Sequence, residues 1–133
     1  MRQFVFDSSA IVSYFENRPA KSKAFQYIEQ VQLKHAEARM SVINYGEVVY
    51  LFWRKGGDTN VAKLDDLVLR LPIILEPVDI SASRHAAMLK ARHQLPYADS
   101  FAASLAMRLN GTLVTADPDF KKLGQQLKIL WIK

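Results

Sequence analysis

The sequence predicts an α/β fold in which a parallel β-sheet is flanked by helices on both faces. Short apolar segments that are typical of strands alternate along the chain with longer segments of helical periodicity. Strands separated by helices pair in parallel, because the intervening helix crosses back over the sheet. Strands with few polar residues are buried on both faces, so helices must cover both sides. We find no internal repeat or linker and expect one domain over residues 1–133.

The predicted strands are short, and most of them end at a polar or turn-forming residue. The first is the Phe-Val-Phe run at residues 4–6, which Asp7 terminates. The fourth follows the Asn-Gly turn at residues 110 and 111 and ends shortly before Asp117. In chain order, the predicted strands comprise residues 4–6, 39–41, 73–78, 112–115 and 127–132.

The predicted helices are marked by apolar periodicity and by residues that start or stop a helix. Ser41 can cap a helix that the glycines at positions 56 and 57 stop, and Ser81 can cap another that reaches about His93. Two further helices end at helix-breaking residues: the first near the Asn-Arg-Pro sequence at residues 17–19, and the fourth at Pro72. In chain order, the predicted helices comprise residues 10–15, 20–35, 42–55, 58 or 59 to 71, 81–93 and 97–109, followed by a helical turn at 120–123.

The composition describes a basic chain without cysteine. Its 133 residues include 18 Lys and Arg and 13 Asp and Glu, for a formal net charge of +5 at pH 7. The lack of cysteine excludes a disulfide framework and a thiolate zinc site. No apolar run reaches the ~18 residues of a membrane span, and the first residues are too polar for a signal peptide, so we expect a cytoplasmic protein. A basic surface around an acidic pocket suits a polyanion, but a basic protein without such a partner has the same charge.

Two aspartates follow predicted strands. Asp7 comes directly after the first strand and Asp117 shortly after the fourth, so both belong at the carboxyl edge of a parallel sheet. Either could instead cap a helix or form a turn, and Asp119 fits a solvated turn or cap better than a ligand position. Ser9 and Thr115 could orient a carboxylate or a bound water, or could hydrogen-bond the local backbone.

Two further carboxylates lie on predicted helices. Glu47 is on a helix that is apolar on most sides, so we expect it to face inward, where a carboxylate is neutral, paired with an arginine or metal-bound. Asp99 begins an alanine-rich helix, where it could simply interact with the helix dipole. Small side chains at Ala102, Ala103 and Ala106 let that helix pack close to the sheet and bring Asp99 near the strand ends, unless they reflect helix propensity only.

Four carboxylates at one edge of a sheet favour a metal site, because like charges at short range repel unless cations neutralise them. Mg²⁺ and Mn²⁺ prefer carboxylate and water oxygens as ligands. Two such ions about 3.5–4 Å apart would activate a water and stabilise the leaving oxygen of a phosphodiester. The candidate catalytic residues and metal ligands are Asp7, Glu47, Asp99 and Asp117. The histidines lack metal-type spacing, and the sequence contains no glycine-rich phosphate loop.

Four segments of the chain resemble the PIN domain and, within that family, the VapC-type toxins of bacterial and archaeal toxin–antitoxin pairs. These are Phe-Val-Phe-Asp-Ser-Ser-Ala-Ile-Val at residues 4–12, residues 41–49, Leu-Pro-Tyr-Ala-Asp-Ser-Phe-Ala-Ala-Ser-Leu-Ala at residues 95–106, and residues 113–120. Their order and spacing match the family over nearly the whole chain. The resemblance implies a single PIN-like domain and an Mg²⁺- or Mn²⁺-dependent endoribonuclease. Its acidic set would be Asp7, Glu47, Asp99 and Asp117, with Asp7 and Asp99 the most regular ligands and Asp119 a fifth acid that some relatives use.

The resemblance also implies partners: an RNA substrate, a second copy of the chain in a homodimer, and a small antitoxin protein that blocks the site. Candidate contacts for the dimer or the antitoxin are Tyr14, Phe15, Phe52 and Trp53, although Phe52 could equally belong to the core. Lys121 and Lys122 follow the Asp117 loop and could contact phosphates or remain ordinary exposed lysines.

Two other functions stay open from the residues alone. Asp7 could be the nucleophile of a phosphotransferase of the haloacid-dehalogenase type, although the Asp-Ser-Ser sequence lacks the second aspartate of the phosphatase version and the chain is short for that fold. The domain could also be a non-catalytic module that binds RNA or protein. Four clustered carboxylates would contribute nothing to a module that binds phosphates.

Overall fold

A computed structural model describes residues 1–16 and 22–132 of the chain. The predicted break at 17–19 and the predicted helix start at residue 20 lie outside these residues. In chain order the elements are β1 (Arg2–Phe6), α1 (Ser8–Glu16), α2 (Lys23–Gln32), β2 (Ala36–Ser41), α3 (Val42–Arg70), β3 (Ile74–Glu76), α4 (Ile80–His93), α5 (Tyr97–Arg108), β4 (Thr112–Thr115), a 3-10 helix (Pro118–Gln126) and β5 (Lys128–Trp131).

The strands form one five-stranded sheet in the order β3-β2-β1-β4-β5. Every neighbouring pair is parallel, which confirms the predicted sheet type. From β1 the chain proceeds to β2 and β3 on one side and returns to β4 and β5 on the other. The strand order therefore reverses between β1 and β4. In open α/β sheets the crevice for ligands lies beyond the carboxyl ends of the strands at such a reversal.

Helices cover both faces of the sheet, as the apolar strands predict. Phe4 and Phe6 point to one face and pack with buried residues of α1, α2 and α3. Val5 points to the other face and packs with Leu113 and with buried residues of α4, α5 and the 3-10 helix. This alternation follows from the two-residue period of a strand, so β1 contributes to two separate cores.

Helix α5 packs closely against the sheet because its buried side is made of small side chains. Ala102, Ala103 and Ala106 are fully buried, and the helix contacts β1, β2 and β4. The predicted role of the alanines is therefore confirmed. In the described part of the chain, no helix combines the length and the apolar character that a membrane crossing requires.

Several boundaries differ from the predictions. Asp79, and not Ser81, caps α4, because its side chain accepts the Ala82 N–H at 2.8 Å. Strand β3 is shorter than predicted and ends before Pro77, which has no N–H to offer a neighbouring strand. The two helices predicted around the glycines at 56 and 57 form one segment, in which Gly57 has non-helical angles (φ 67°, ψ −154°).

Candidate metal centre

Asp7 lies at the carboxyl end of β1, beside the reversal of the strand order, and is only 1% exposed. Its Oδ1 accepts hydrogen bonds from the Ser9 hydroxyl at 2.8 Å and the Ala10 N–H at 2.9 Å, and its Oδ2 accepts one from the Thr115 hydroxyl. The same two hydroxyls accept the N–H groups of Ala116 and Asp117, each at 2.9 Å. Both hydroxyls therefore orient Asp7. The backbone bond of Thr115 is local, as one interpretation expected, whereas that of Ser9 joins it to Ala116, which is distant in sequence.

The hydrogen bonds of Asp7 act against the effect of its burial. Burial raises the pKa of Asp7 from 3.8 to about 6, while the bonds from Thr115, Ser9 and Ala10 lower it and the nearby Asp117 charge raises it further. A carboxylate offers about four lone-pair positions, so about one remains for a ligand, on Oδ2. Asp7 can thus bind a cation without giving up the bonds that hold it.

Asp99, Asp117 and Asp119 each place a carboxylate oxygen within 4.8 Å of the other two. Asp99 is in the first turn of α5, and Asp117 caps the 3-10 helix by accepting the Asp119 N–H at 2.9 Å. Asp119 is partly exposed and forms an ion pair with Lys122 at 3.5 Å. The sequence suggested that Asp119 is a solvated turn residue, and it is partly exposed. It also lies beside Asp99 and Asp117, which that interpretation did not predict.

The surroundings of Asp99 strongly disfavour its charged form. Burial raises the pKa of Asp99 from 3.8 to about 8, with further increases from the charges of Asp117, Asp7 and Glu47. Only 8% of the residue is exposed. Its Oδ2 is buried and has no hydrogen-bond partner in the part of the chain that the structure describes. Such an oxygen costs about 1–3 kcal/mol or more when it is left unsatisfied, so this position favours a ligand or a proton.

Glu47 reaches the same group of carboxylates, but it is not buried. Its Oε1 accepts a hydrogen bond from the Ser8 hydroxyl, and its charge acts on Asp99. The expectation that Glu47 faces inward is wrong, because the side chain is exposed. Asn44 and Val48 are the buried residues of this part of α3, and their helical phase places Glu47 at the rim.

The donor atoms of this centre fit a hard divalent cation. They are carboxylate oxygens, and one of them, Asp99 Oδ2, is buried without a partner among the described residues. An ion such as Mg²⁺ or Mn²⁺ would satisfy that oxygen and offset both the burial of Asp99 and the repulsion from its neighbours, which together raise its pKa. The residues available to hold it are Asp99, Asp117 and Asp119, together with Asp7 through its Oδ2.

Two residues of the centre were missed by the sequence predictions. Asn44 is fully buried in α3, and its Nδ2 donates to the Ala98 carbonyl at 3.1 Å, which fixes α3 to the start of α5. A polar residue on the buried side of an apolar helix, one turn before Glu47, was the available signal. Ser8, which donates to Glu47, shows no signal beyond its position next to Asp7.

The other residues that the sequence analysis named differ in their exposure. Tyr14 and Phe52 are buried in the core, whereas Trp53 is 55% exposed. Lys122 donates to the Gln94 carbonyl at 3.1 Å in addition to its pair with Asp119. His85 is partly packed, with its Nδ1 at 2.7 Å from the Ser104 hydroxyl, as expected for a histidine outside the site.

Comparison with known proteins agrees with this architecture. The PIN domain family model matches residues 4–126. The fold is similar to VapBC2 from Rickettsia felis, solved with a DNA fragment of its promoter (TM-score 0.81, 20% identity, 98% of this chain and 99% of that chain). It is also similar to DNA-bound VapBC from Salmonella typhimurium (TM-score 0.77, 18% identity, 100% of both chains). A third similar structure is VapC20 from Mycobacterium tuberculosis, described as a sarcin-ricin loop cleaving toxin (TM-score 0.68, 17% identity, 91% and 95%).

The search of curated proteins found no match. The structural similarities lie at or below 20% identity and establish the fold. The family model spans most of the chain and includes β1 through the 3-10 helix. The chain therefore belongs to the PIN domain family.

Proposed function

We propose that this PIN domain is an Mg²⁺- or Mn²⁺-dependent endoribonuclease, and that it is the VapC-type toxin of a type II toxin–antitoxin pair. The observation that carries the proposal is the cluster of Asp99, Asp117 and Asp119 at one edge of the sheet. Asp7 and Glu47 are close enough for their charges to act on Asp99. The partnerless Asp99 Oδ2 supports a cation there. The description of VapC20 as a sarcin-ricin loop cleaving toxin supports the reaction class.

In this proposal Asp99 and Asp117 are metal ligands, and the positions of Asp7 and Glu47 suggest their roles as well. When bound, the divalent ion activates a water and stabilises the leaving oxygen of the phosphodiester. Asp7 is held by Ser9 and Thr115 so that Oδ2 remains available as a ligand. Glu47, the exposed acid, is placed to accept a proton from the attacking water while Ser8 fixes its other oxygen. Water adds to phosphorus, the bond to the leaving oxygen breaks, and that oxygen takes up a proton.

The proposed protein partners are a second copy of this chain, which would form a homodimer with it, and a small antitoxin protein. The structures from Rickettsia felis and Salmonella typhimurium are VapBC complexes. On this chain, Tyr50 and Trp53 are 58% and 55% exposed and lie one turn apart on α3, which forms an aromatic patch suited to a protein contact. Tyr14 and Phe52 are removed from the candidate contacts because they belong to the core.

The two alternative functions are less well supported. A phosphotransferase would use Asp7 alone as nucleophile and gives no role to the neighbouring cluster of Asp99, Asp117 and Asp119. A non-catalytic RNA-binding module would have to bring phosphates towards Asp7, Asp99 and Asp117, which repel them when no cation is bound.

The direct test of the proposal is cleavage of total cellular RNA by the purified protein. We expect cleavage in Mg²⁺ or Mn²⁺, no cleavage in EDTA, and recovery when excess metal is restored. Sequencing of the new RNA ends identifies the cut sites. Metal-independent RNA binding without any cleavage would instead support the non-catalytic module, and trapping of beryllium fluoride on Asp7 would support the phosphotransferase.

Replacing Thr115 with valine is expected to raise the Mg²⁺ concentration needed for half-maximal cleavage by about 10–100-fold. The hydroxyl donates to Asp7 Oδ2, and loss of a group that orients a metal ligand typically weakens metal affinity by this amount. The Mg²⁺ dependence of the cleavage rate measures the effect. Thr115→Ser should restore the parent behaviour, and Thr112→Val, at the opposite end of β4, is the matched control. Equal Mg²⁺ requirements for Thr115→Val and the parent would contradict the orienting role.

A further inference from the structure

A cavity of about 450 Å³ lies next to the acidic centre. It is lined by Ala116, Pro118, Lys121 and Trp131. Ala116 and Pro118 are the residues on either side of Asp117, so the cavity and the centre share one loop. The lining combines apolar groups with a single cationic side chain. A volume of this size is typical of sites that bind small organic groups.

Trp131 presents an aromatic surface close to the centre. It is the last residue of β5, the edge strand, and pairs in register with Thr115, whose hydroxyl holds Asp7. Neighbouring strands are about 4.8 Å apart, so the backbone of Trp131 lies about that distance from Thr115, the residue that orients Asp7. The ring is partly buried against the core, and its remaining surface lines the cavity.

Lys121 is the cationic group of the cavity. Its Nζ lies 6.0 Å from the centroid of the Trp131 ring, at the outer limit of a cation–π contact. Lys122 is paired with Asp119, but no described carboxylate lies within ion-pair distance of Lys121. The contact of Lys121 with the ring is weak and its side chain is exposed. The ammonium group can therefore move off the face of the ring when a ligand stacks there, and still remain close to that ligand.

We propose that this cavity binds an unpaired nucleobase of the RNA strand whose phosphate is presented to the acidic centre. The base would stack on Trp131, and Lys121 would contact the adjoining phosphate. A flat ring attached to an anion is the ligand that an aromatic face, apolar walls and one free cation recognise best. The inference rests on the proposed nuclease function and deepens it: a base in a duplex cannot enter the cavity, so the site selects single-stranded RNA.

The stacking is tested by tryptophan fluorescence. The chain contains two tryptophans, so Trp53→Phe leaves Trp131 as the only source of tryptophan emission. The probe is a short single-stranded RNA, with Ca²⁺ in place of Mg²⁺ and gel analysis to verify that the RNA stays intact. We expect saturable quenching by this RNA and little quenching by the same oligomer with abasic residues. Equal quenching by the two oligomers, or none by either, overturns the inference.

The contribution to affinity is tested with an end-labelled RNA of the same sequence. Trp131→Leu fills the core but lacks an aromatic face, and we expect it to weaken binding about tenfold, whereas Trp131→Phe should bind nearly as the parent does. Lys121→Gln should weaken binding and reduce its salt dependence. Lys128→Gln, at the opposite end of β5 about 10 Å away, loses the same charge and should change binding much less.

The two proposals can fail separately. If the parent cleaves RNA in Mg²⁺ while Trp131→Leu shows the same KM, the same cut sites and the same affinity, the base site is wrong and the nuclease proposal stands. If RNA quenches Trp131 but no RNA is cleaved with any divalent metal, the base site stands and the nuclease proposal is wrong.

Discussion

Replacement of Asp99 by asparagine is expected to lower metal-dependent RNA cleavage about a thousandfold. Asp99 lies within 4.8 Å of Asp117 and Asp119, and its Oδ2 is the buried oxygen that lacks a partner among the described residues. A metal ion supplies several kcal/mol of charge stabilisation to a reacting phosphate, and each ~1.4 kcal/mol corresponds to tenfold in rate. An amide removes the charge that attracts the ion but keeps the shape of the side chain. The measurement is the initial rate of RNA cleavage at saturating Mg²⁺.

The matched control is Asp66→Asn, which removes one carboxylate from the exposed side of α3, where Asp66 pairs with Arg70 at 2.9 Å. It should cleave at the parent rate. Asp119→Asn tests the fifth acid: a loss close to that of Asp99→Asn would make Asp119 a ligand, and a small loss would leave it as a partly exposed residue that pairs with Lys122. A folded Asp99→Asn protein that cleaves as fast as the parent would show that the site assignment is wrong.

The fold was accessible from the sequence because most strands contain a short apolar run that ends at a recognisable residue. The β1 run ends at Asp7, and its alternate residues Phe4, Val5 and Phe6 divide between two cores. Parallel pairing followed from the helices between strands. The strand order was not accessible, because nothing in the pattern of a short strand identifies the strands beside it. The position of Asp7 at the reversal between β1 and β4 therefore needed the structure.

The sequence predicted which residues belong to the candidate centre, but not how their side chains are arranged. Asp7 and Asp117 follow strands, so their common edge could be inferred. The sequence shows that the helix containing Glu47 is mostly apolar, but it does not show which side of the helix faces the core. Successive residues of a helix point about 100° apart, so an error of one position is enough to turn a side chain from the core to the surface. Asn44 faces α5 and Glu47 faces the rim. The pairing of Ser8 with Glu47 depends on the packing of α1 against α3, which no local pattern encodes.

The metal-free protein is expected to lose stability as the pH rises from about 4 to about 8. Asp7 and Asp99 have folded-state pKa values of about 6 and about 8, both above the ordinary 3.8. Between 3.8 and the folded-state pKa, the carboxyl is protonated in the folded chain and ionised in the unfolded chain. Unfolding then releases a proton, so a rise in pH favours the unfolded state. The loss from Asp7 alone is about 3 kcal/mol and is complete slightly above pH 6.

Unfolding by urea in EDTA, measured at several pH values, tests this expectation through differences between variants. Asp7→Asn should be more stable than the parent at pH 7 and similar to it near pH 4, with the difference developing up to about pH 6. For Asp99→Asn the difference should continue to grow up to about pH 8. Asp66→Asn, remote from the centre, should follow the parent at every pH. Parallel stability curves for the parent, Asp7→Asn and Asp99→Asn would contradict the raised pKa values.

Mg²⁺ should reverse the trend, because a cation binds the ionised carboxylates and its binding to the folded chain adds directly to stability. The stabilisation by Mg²⁺ is therefore expected to increase with pH over the range in which the metal-free protein weakens. Asp99→Asn should gain little from Mg²⁺ although it is the more stable protein in EDTA. Asp99→Asn should therefore be more stable than the parent without metal and less active with metal. This combination is expected if the clustered carboxylates destabilise the metal-free protein but are needed to bind the cation. A purely structural role for Asp99 would instead lower stability in both conditions.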